Sequence, residues 1–257
     1  MLRGWARAAA EGRADLHLIA TAKTPAKLEQ LRAEWPAVTT TLHNAEAVAE
    51  ADVVVLAVKP WFVADVVHEI KPVLDARATA PIVISVVANL DNAALRQLLG
   101  PSIPAVYAMP NIAAAYGESM TFVEETKEMP VAGTAVNVTE TTATLLRHLG
   151  EVRVVPARLM APGMMMAGCG IAYVMRYIRA MMVGGVEMGF YPHDAQDIAL
   201  QTMAGAVTLL RETGLHPEAA IDKVTTPGGI TIKGLNELDY AGFNSAVIRS
   251  LKAGMEK

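Results

Sequence analysis

The stretch Asp52-Val53-Val54-Val55-Leu56-Ala57-Val58 decides the fold class of this 257-residue chain. It is an uninterrupted apolar run rich in β-branched residues, which is typical of a strand buried on both faces of a parallel sheet. We expect this strand to lie at the centre of its sheet. Lys59-Pro60 follows it directly, at the end of a strand where parallel α/β sheets bind their ligands.

Short strands and amphipathic helices alternate around this run, up to about residue 155. Thr24-Pro25 is a helix start, because threonine favours the N-cap and proline the first helical position. The alternation predicts a doubly wound, Rossmann-like α/β domain over residues 1–156. Further strands are predicted at 14–20, 82–87, 104–108 and 120–123, and helices at 25–34, 61–74, 91–99 and 139–148.

The pattern changes after Pro156, where strand signals stop and long helical stretches follow. We expect an all-helical domain over residues 157–257. Its segment 160–188 holds eight of the fourteen methionines of the chain, which suits the filling of a core or of a subunit interface. The sequence therefore predicts a homodimer built on this domain. Its helices are predicted at 160–189, 193–213, 217–224 and, with breaks, 231–257.

Composition excludes several classes of protein. The chain is 53% apolar with a net charge of −4, so it is neither disordered nor basic enough to suggest a nucleic-acid partner. Cys169 is the single cysteine, which suits a reducing cytoplasm, and the six histidines show no metal-ligand spacing.

The run from Leu159 to Met175 is uncharged but contains Pro162 and is shorter than the roughly 20 residues of a membrane span. The amino end shows neither a signal peptide nor an anchor.

Three places after predicted strands carry polar residues suited to a dinucleotide. Lys23-Thr24 offers a base and a hydroxyl, which favour the 2′-phosphate of NADP, although a surface lysine beside a helix cap fits equally well. Lys59 can point into the cleft or into solvent. Asn111 can orient a nicotinamide carboxamide or form a turn.

The loop Thr225-Thr226-Pro227-Gly228-Gly229 leads into a predicted helix that contains Thr231. Glycines before a helix present free backbone N–H groups, and the positive end of the helix dipole lies behind them. This arrangement suits a carboxylate. The alternative is a plain connecting loop, with proline and glycine as turn residues and Thr231 as the helix cap.

Together these segments resemble the pyrroline-5-carboxylate reductase family, whose members reduce a cyclic imine with a nicotinamide cofactor in the last step of proline biosynthesis. The resemblance spans about residues 14–252. Its most specific part is Asp222-Lys223-Val224-Thr225-Thr226-Pro227-Gly228-Gly229-Ile230-Thr231-Ile232-Lys233-Gly234-Leu235. Ala57-Val58-Lys59-Pro60, Met109-Pro110-Asn111 and Ala172-Tyr173 support it.

The resemblance implies a role for each matched residue. Thr225, Thr226, Gly228 and Gly229 would hold the substrate carboxylate, and Thr231 would hydrogen-bond or protonate the imine nitrogen. The cofactor would be NADPH, with NADH as a second possibility, and the assembly a homodimer or a higher oligomer. The cofactor-binding residues would be Lys23, Thr24, Ala57, Lys59, Pro60 and Asn111.

Two departures from the family pattern keep alternatives open. Ala167-Gly168-Cys169-Gly170-Ile171 replaces Ser-Gly-Ser-Gly-Pro, which allows a reductase of another imine or a β-hydroxy acid. The family's first strand and Gly-x-Gly-x-x-Gly loop are not found, so we expect unpaired strand edges and weakened cofactor binding. We attribute this difference to a wrongly assigned start codon, and an enzyme that is inactive as written is the alternative. A non-catalytic assembly subunit is the alternative from a different functional class.

Overall fold

The computed structural model describes residues 1–126, 129–131 and 134–255. The chain divides into two compact units, Met1–Gly168 and Cys169–Lys257. The first unit alternates strands and helices, and the second is helical, as predicted. No helix in these described ranges combines the length and the apolar character needed to cross a membrane.

The helices and strands of the first unit follow the predicted order closely. Its helices are α1 (Leu2–Ala10), α2 (Pro25–Glu34), α3 (Asn44–Val48), α4 (Val63–Asp75), α5 (Asn92–Leu99), α6 (Val138–Arg147) and α7 (Met160–Gly163). Its strands are β1 (Ile19–Thr21), β2 (Thr39–Thr41), β3 (Val53–Leu56), β4 (Ile82–Ser85), β5 (Ala105–Met109), β6 (Ser119–Glu124), β7 (Met129–Val131), β8 (Thr134–Val136) and β9 (Gly150–Val155).

A five-stranded sheet in the order β3-β4-β5-β6-β9 forms the centre of this unit. β3, β4 and β5 are parallel, with Val53 opposite Ile82 and Val83 opposite Ala105. β6 is antiparallel to β5 and parallel to β9. A parallel pair needs a crossover of about a dozen residues or more. Residues 110–118, which connect β5 to β6, are too few for such a crossover, so the two strands are antiparallel.

The strands β1 and β2 form a separate parallel sheet of two strands. β3 pairs only with β4 among the described residues, so the prediction that it lies at the centre of the sheet is wrong. Its burial agrees with an edge position, because buried and half-buried side chains alternate along it. The expected unpaired strand edge is therefore present on β3.

Several element bounds differ from the sequence predictions for local reasons. The strand predicted at 14–20 is confined to β1, and the sequence did not predict α3 or the strands β2, β7, β8 and β9. β2 consists of three threonines, and β9 alternates charged and apolar residues, so neither shows the apolar run of a buried strand. α2 begins after Thr24 as predicted.

The segment 157–168 packs with the first unit. Met160 belongs to the core beneath β3 and β4, and Gly163 lies so close to the ring of Phe122 that an added Cβ would come within 2.8 Å of it. The structural division therefore follows Gly168, whereas the sequence places a change of character after residue 156. The assignment of residues 157–257 as one functional domain stays a prediction.

The second unit consists of five helices within the described residues, α8 (Gly170–Glu187), α9 (Pro192–Thr213), α10 (Pro217–Val224), α11 (Ile230–Tyr240) and α12 (Phe243–Ala253). The helix predicted at 160–189 is present from Met160 to Glu187, and a π-helical segment, Met164–Cys169, lies between its parts α7 and α8. α8 and α9 pack at Gly185 and Ala195, which are buried. Many larger apolar side chains of this unit are exposed, among them Met188 at 77%.

A buried polar cluster ties α5 to β5 and β6. The Asn92 backbone N–H donates to Glu124 Oε2 at 3.2 Å, and Asn92 Oδ1 accepts from the Tyr107 backbone N–H at 2.7 Å. Glu124 is buried, and this burial raises the pKa of its carboxyl group. The pKa of this carboxyl is therefore higher in the folded protein than in the unfolded chain. The protonated carboxyl stabilises the fold at low pH, and this stabilisation is lost as the pH rises through the folded pKa.

We expect Glu124→Gln to melt about 2–4 °C higher than the parent chain near pH 8, because glutamine keeps an acceptor without burying a charge. The difference should disappear near pH 4, where Glu124 is protonated. Thermal melts of both proteins across this range test the expectation. Glu125→Gln, at an exposed neighbour, serves as the matched control. A parent that melts higher than the variant at pH 8 would contradict it.

Candidate functional site

Five of the predicted cofactor-binding residues lie after the carboxyl ends of two strands. Lys23 and Thr24 follow β1, and Ala57, Lys59 and Pro60 follow β3. All five are exposed. They occupy the edge at which parallel α/β sheets bind ligands.

The structure brings these two segments into contact. The Lys23 Nζ atom lies 4.0 Å from the centre of the Phe62 ring, a cation–π distance. Phe62 is the last residue of a short 3-10 helix, Pro60–Phe62. The positive charge after β1 therefore sits beside the loop after β3, and Phe62 is the residue that joins them.

Thr24 occupies the N-cap position of α2, with Pro25 at the first helical position. Its side chain makes no capping hydrogen bond, so the hydroxyl is available to a ligand together with the amino end of the helix. A lysine ammonium, a hydroxyl and a helix amino terminus are donors suited to a phosphate monoester. The residues after β1 therefore fit the 2′-phosphate that distinguishes NADP from NAD.

A cleft of about 280 Å³ opens at the ends of β3 and β4. It is lined by Pro60 and Val63 on one side and by residues 87–90 on the other. Asn89 adopts a left-handed backbone with φ 62°, which asparagine tolerates better than most residues. Burial raises the pKa of the nearby Tyr107 phenol, and the Asn89 backbone opposes this rise.

A chain of hydrogen bonds fixes the end of β1. Thr21 Oγ1 donates to Asn44 Oδ1 at 2.7 Å, and Asn44 Nδ2 donates to Glu69 Oε2 at 2.8 Å. β1 is thereby anchored to the start of α3 and to α4. Asn44 was not predicted, because a single asparagine after a threonine run gives no local sign of its partners.

Asn111 uses both ends of its side chain within the first unit. Its Oδ1 accepts from the Ala113 backbone N–H at 3.0 Å, and its Nδ2 donates to the Ala167 carbonyl oxygen at 3.3 Å. The turn-forming alternative is therefore present in the structure. Contact with a nicotinamide stays a prediction.

Ala167, the partner of Asn111, belongs to the π-helical segment Met164–Cys169. This segment overlaps the stretch 167–171 in which the sequence departs from the family pattern. π-Helical turns are rare in proteins, and those that are found frequently lie at functional sites. The departure therefore lies partly in a π-helical segment that is hydrogen-bonded to the predicted site residue Asn111.

The predicted carboxylate loop forms a tight turn between α10 and α11. Thr225 Oγ1 donates to the Asp222 carbonyl oxygen at 3.2 Å, and the Gly229 N–H donates to the Thr226 carbonyl oxygen at 2.9 Å. Gly228 has φ +70°, a left-handed conformation that favours glycine. The hydroxyl of Thr225 and the N–H of Gly229 are thus used in shaping the loop.

The turn leaves polar groups free at the start of α11. A Cβ added at Gly229 would lie 2.6 Å from Thr226 Oγ1, so only glycine keeps this hydroxyl in place. Gly229 is the N-cap of α11, without a side-chain capping bond, so the prediction of Thr231 as the cap in a plain loop is wrong. Thr231 is exposed in the first turn. These groups can hydrogen-bond an anion.

Across the described parts of the chain, no group of three or more histidine, cysteine or acidic side chains is arranged to hold a metal ion. The polar groups gathered at the two candidate sites are hydroxyls, amides and ammonium groups. Such groups bind and orient anions.

Two family models match the chain. The model described as "Pyrroline-5-carboxylate reductase dimerisation" matches residues 157–257, and the model described as "NADP oxidoreductase coenzyme F420-dependent" matches residues 1–89. The first match begins at the predicted domain boundary and includes the turn before α11.

Two similar proteins come from Dictyostelium discoideum. Pyrroline-5-carboxylate reductase 1 is 36% identical over 246 residues, which are 93% of this chain and 44% of that protein. Pyrroline-5-carboxylate reductase 2 is 34% identical over 249 residues, which are 93% of this chain and 82% of that protein. Among solved structures, Plasmodium falciparum pyrroline carboxylate reductase with NADP bound is 25% identical, with a TM-score of 0.75 over 85% of this chain and 80% of that one.

Proposed function

The chain belongs to the pyrroline-5-carboxylate reductase family, and we propose that it reduces 1-pyrroline-5-carboxylate to L-proline with NAD(P)H. The observation that carries this proposal is the turn before α11, where Thr226, Gly229 and an uncapped helix start are suited to a carboxylate. The substrate is a small cyclic imine with one carboxylate, so a single anion site would orient it.

The cofactor-binding role falls to the residues after β1 and β3. Lys23 and Thr24 would hold the 2′-phosphate, while Ala57, Lys59 and Pro60 would border the cofactor along the cleft. Asn111 would lie beside the nicotinamide. When bound, the nicotinamide supplies the hydride that reduces the C=N bond. The donors after β1 favour NADPH over NADH.

The substrate-binding role falls to the loop of the second unit. Thr226 would donate its hydroxyl to the carboxylate, while Gly228 and Gly229 would allow the anion to approach the backbone. Thr225 would contribute by shaping the turn, since its hydroxyl already bonds to the end of α10. Thr231 would hydrogen-bond the imine nitrogen, or protonate it, from the first turn of α11. Fixing the carboxylate, ring and nitrogen in one geometry is the main task of such a site.

Homo-oligomerisation follows from the dimerisation model that matches residues 157–257 and from the surface of the second unit. Exposed apolar side chains occur on each of its long helices, including Val183 at 53% and Ile198 at 47%. Apolar faces of this kind mark protein interfaces. We propose a homodimer through this unit, with a higher oligomer as a further possibility. A location in the cytoplasm, suggested by the single cysteine, also stays a prediction.

The decisive experiment is to incubate the purified chain with NADPH and 1-pyrroline-5-carboxylate and to follow the loss of reduced-cofactor absorbance. Proline formation supports the reductase. Saturable NADPH binding without turnover of this substrate favours a related imine or a β-hydroxy acid, which a substrate panel would identify. Oligomers that bind no NADPH would favour the non-catalytic assembly subunit.

We expect Thr231→Val to lower kcat by roughly tenfold to a hundredfold, because the isosteric valine removes the hydroxyl but little volume. The KM for NADPH should stay within about twofold, since a contact with the imine nitrogen does not involve the cofactor. Thr231→Ser keeps the hydroxyl and serves as the matched control. Full turnover by Thr231→Val would remove the proposed contact with the imine nitrogen.

Light scattering after size exclusion should give a mass of two or more chains for the parent protein. We expect Val183→Lys to shift the mass toward the monomer or to unfold the second unit, because it places a charge on an apolar face. Glu187→Lys changes an exposed polar residue of the same helix and should leave the mass unchanged. A monomeric parent at micromolar concentration would contradict the proposed assembly.

A further inference from the structure

We propose that Phe62 is a specificity-determining residue that positions Lys23 for the 2′-phosphate of NADPH. This inference rests on the proposed use of a nicotinamide cofactor. The contact that carries it is the 4.0 Å separation between Lys23 Nζ and the Phe62 ring centre. Phe62 would act through Lys23 and would not touch the reacting atoms.

A lysine needs such a partner because its side chain is long and rotates about four bonds. An exposed ammonium spread over many rotamers loses more freedom when it binds a phosphate than one already held in place. The ring of Phe62 restricts Lys23 before the ligand arrives. The half-buried position of Phe62 fixes the ring itself.

The ring also leaves the charge of Lys23 available. Lys71 forms an ion pair with Asp75 at 2.6 Å, and this carboxylate would compete with any incoming anion. Within the described residues, no ion pair involves Lys23. An aromatic face attracts the ammonium without neutralising it, so the full positive charge remains for a phosphate.

The neighbouring Trp61 provides an internal comparison. Its ring lies 6.1 Å from that of Phe62, centre to centre, with the planes tilted by 56°. Trp61 is 70% exposed, and the cation–π contact of Lys23 is with Phe62. A contribution of Trp61 to cofactor binding would affect NADPH and NADH equally. The contribution of Phe62 should affect only the binding of the 2′-phosphate, which NADPH alone carries.

The test measures equilibrium binding of 2′-AMP and 5′-AMP to the full chain by calorimetry, with NADPH and NADH as a second pair. We expect 2′-AMP to bind more tightly than 5′-AMP. Phe62→Leu should weaken 2′-AMP and NADPH by about two- to fivefold and leave 5′-AMP and NADH unchanged. Phe62→Tyr keeps an aromatic face and should restore the preference. Trp61→Leu should leave the ratio within each pair unchanged.

A double-substitution cycle separates positioning from a structural effect. Lys23→Met should abolish the preference for 2′-AMP, and adding Phe62→Leu should then change nothing further in the ratio. A persisting effect of Phe62→Leu in the Lys23→Met background would overturn the proposal. So would an equal loss for 2′-AMP and 5′-AMP, or failure of the parent chain to bind 2′-AMP at all.

Direct observation of the contact gives a readout that needs no ligand. The ring current of Phe62 should shift the ε-methylene NMR signals of Lys23 upfield, and Phe62→Leu should abolish this shift. If 2′-AMP binds as expected while 1-pyrroline-5-carboxylate is not reduced, the reductase proposal fails and the role of Phe62 stands. An unshifted Lys23 signal in the parent chain would overturn the role of Phe62 alone.

Discussion

The first unit depends on the burial of β4 and β5 between two apolar cores. Val83 and Ala105 point into one core, while Ile84 and Val106 point into the other, and all four are at most 1% exposed. A slip of one residue would exchange the two sets, so the register of these strands is strongly fixed. Their carboxyl ends are consequently held in one place, and the loops that follow β3 and β4 form the cleft there.

The fold class could be predicted from the sequence because it rests on local patterns. The apolar run at β3 and the Thr24-Pro25 helix start each specify one element within a few residues. The edge position of β3 could not be predicted in this way, because a valine-rich run reads the same with one neighbour as with two. The direction of β6 depends on the length of its connection, and the π-helical segment has no recognised sequence pattern.

The candidate site could likewise be predicted from the sequence only in part. The positions of Lys23 and Lys59 at the carboxyl edge follow from the topology of a parallel sheet, which the sequence reveals. The contact between Lys23 and Phe62 does not follow from the topology, because Phe62 is distant in the chain and belongs to no motif. Asn111 could be singled out by its place after β5, whereas its bond to Ala167 depends on how the chain returns past β9. Contacts between remote segments are the part that only the structure supplies.

The bond between Asn111 and Ala167 links two features that the sequence treats separately. One is a predicted cofactor-binding residue, and the other is the segment in which hydroxyl residues of the family pattern are replaced. The Asn111 amide bonds to a turn through Oδ1 and to the π-helical backbone through Nδ2, so its orientation is fixed from both sides. The two features are therefore joined by one hydrogen bond within the first unit.

The exposed apolar surface of the second unit has a thermodynamic consequence. Its described buried residues, Gly185, Ala195 and Ala199, are all small, so little of the stability of this unit comes from its own interior. In the proposed homodimer, covering apolar surfaces such as Met188 and Val183 would supply the larger share. Folding of this unit would then be coupled to association by mass action, and its melting temperature would rise with protein concentration.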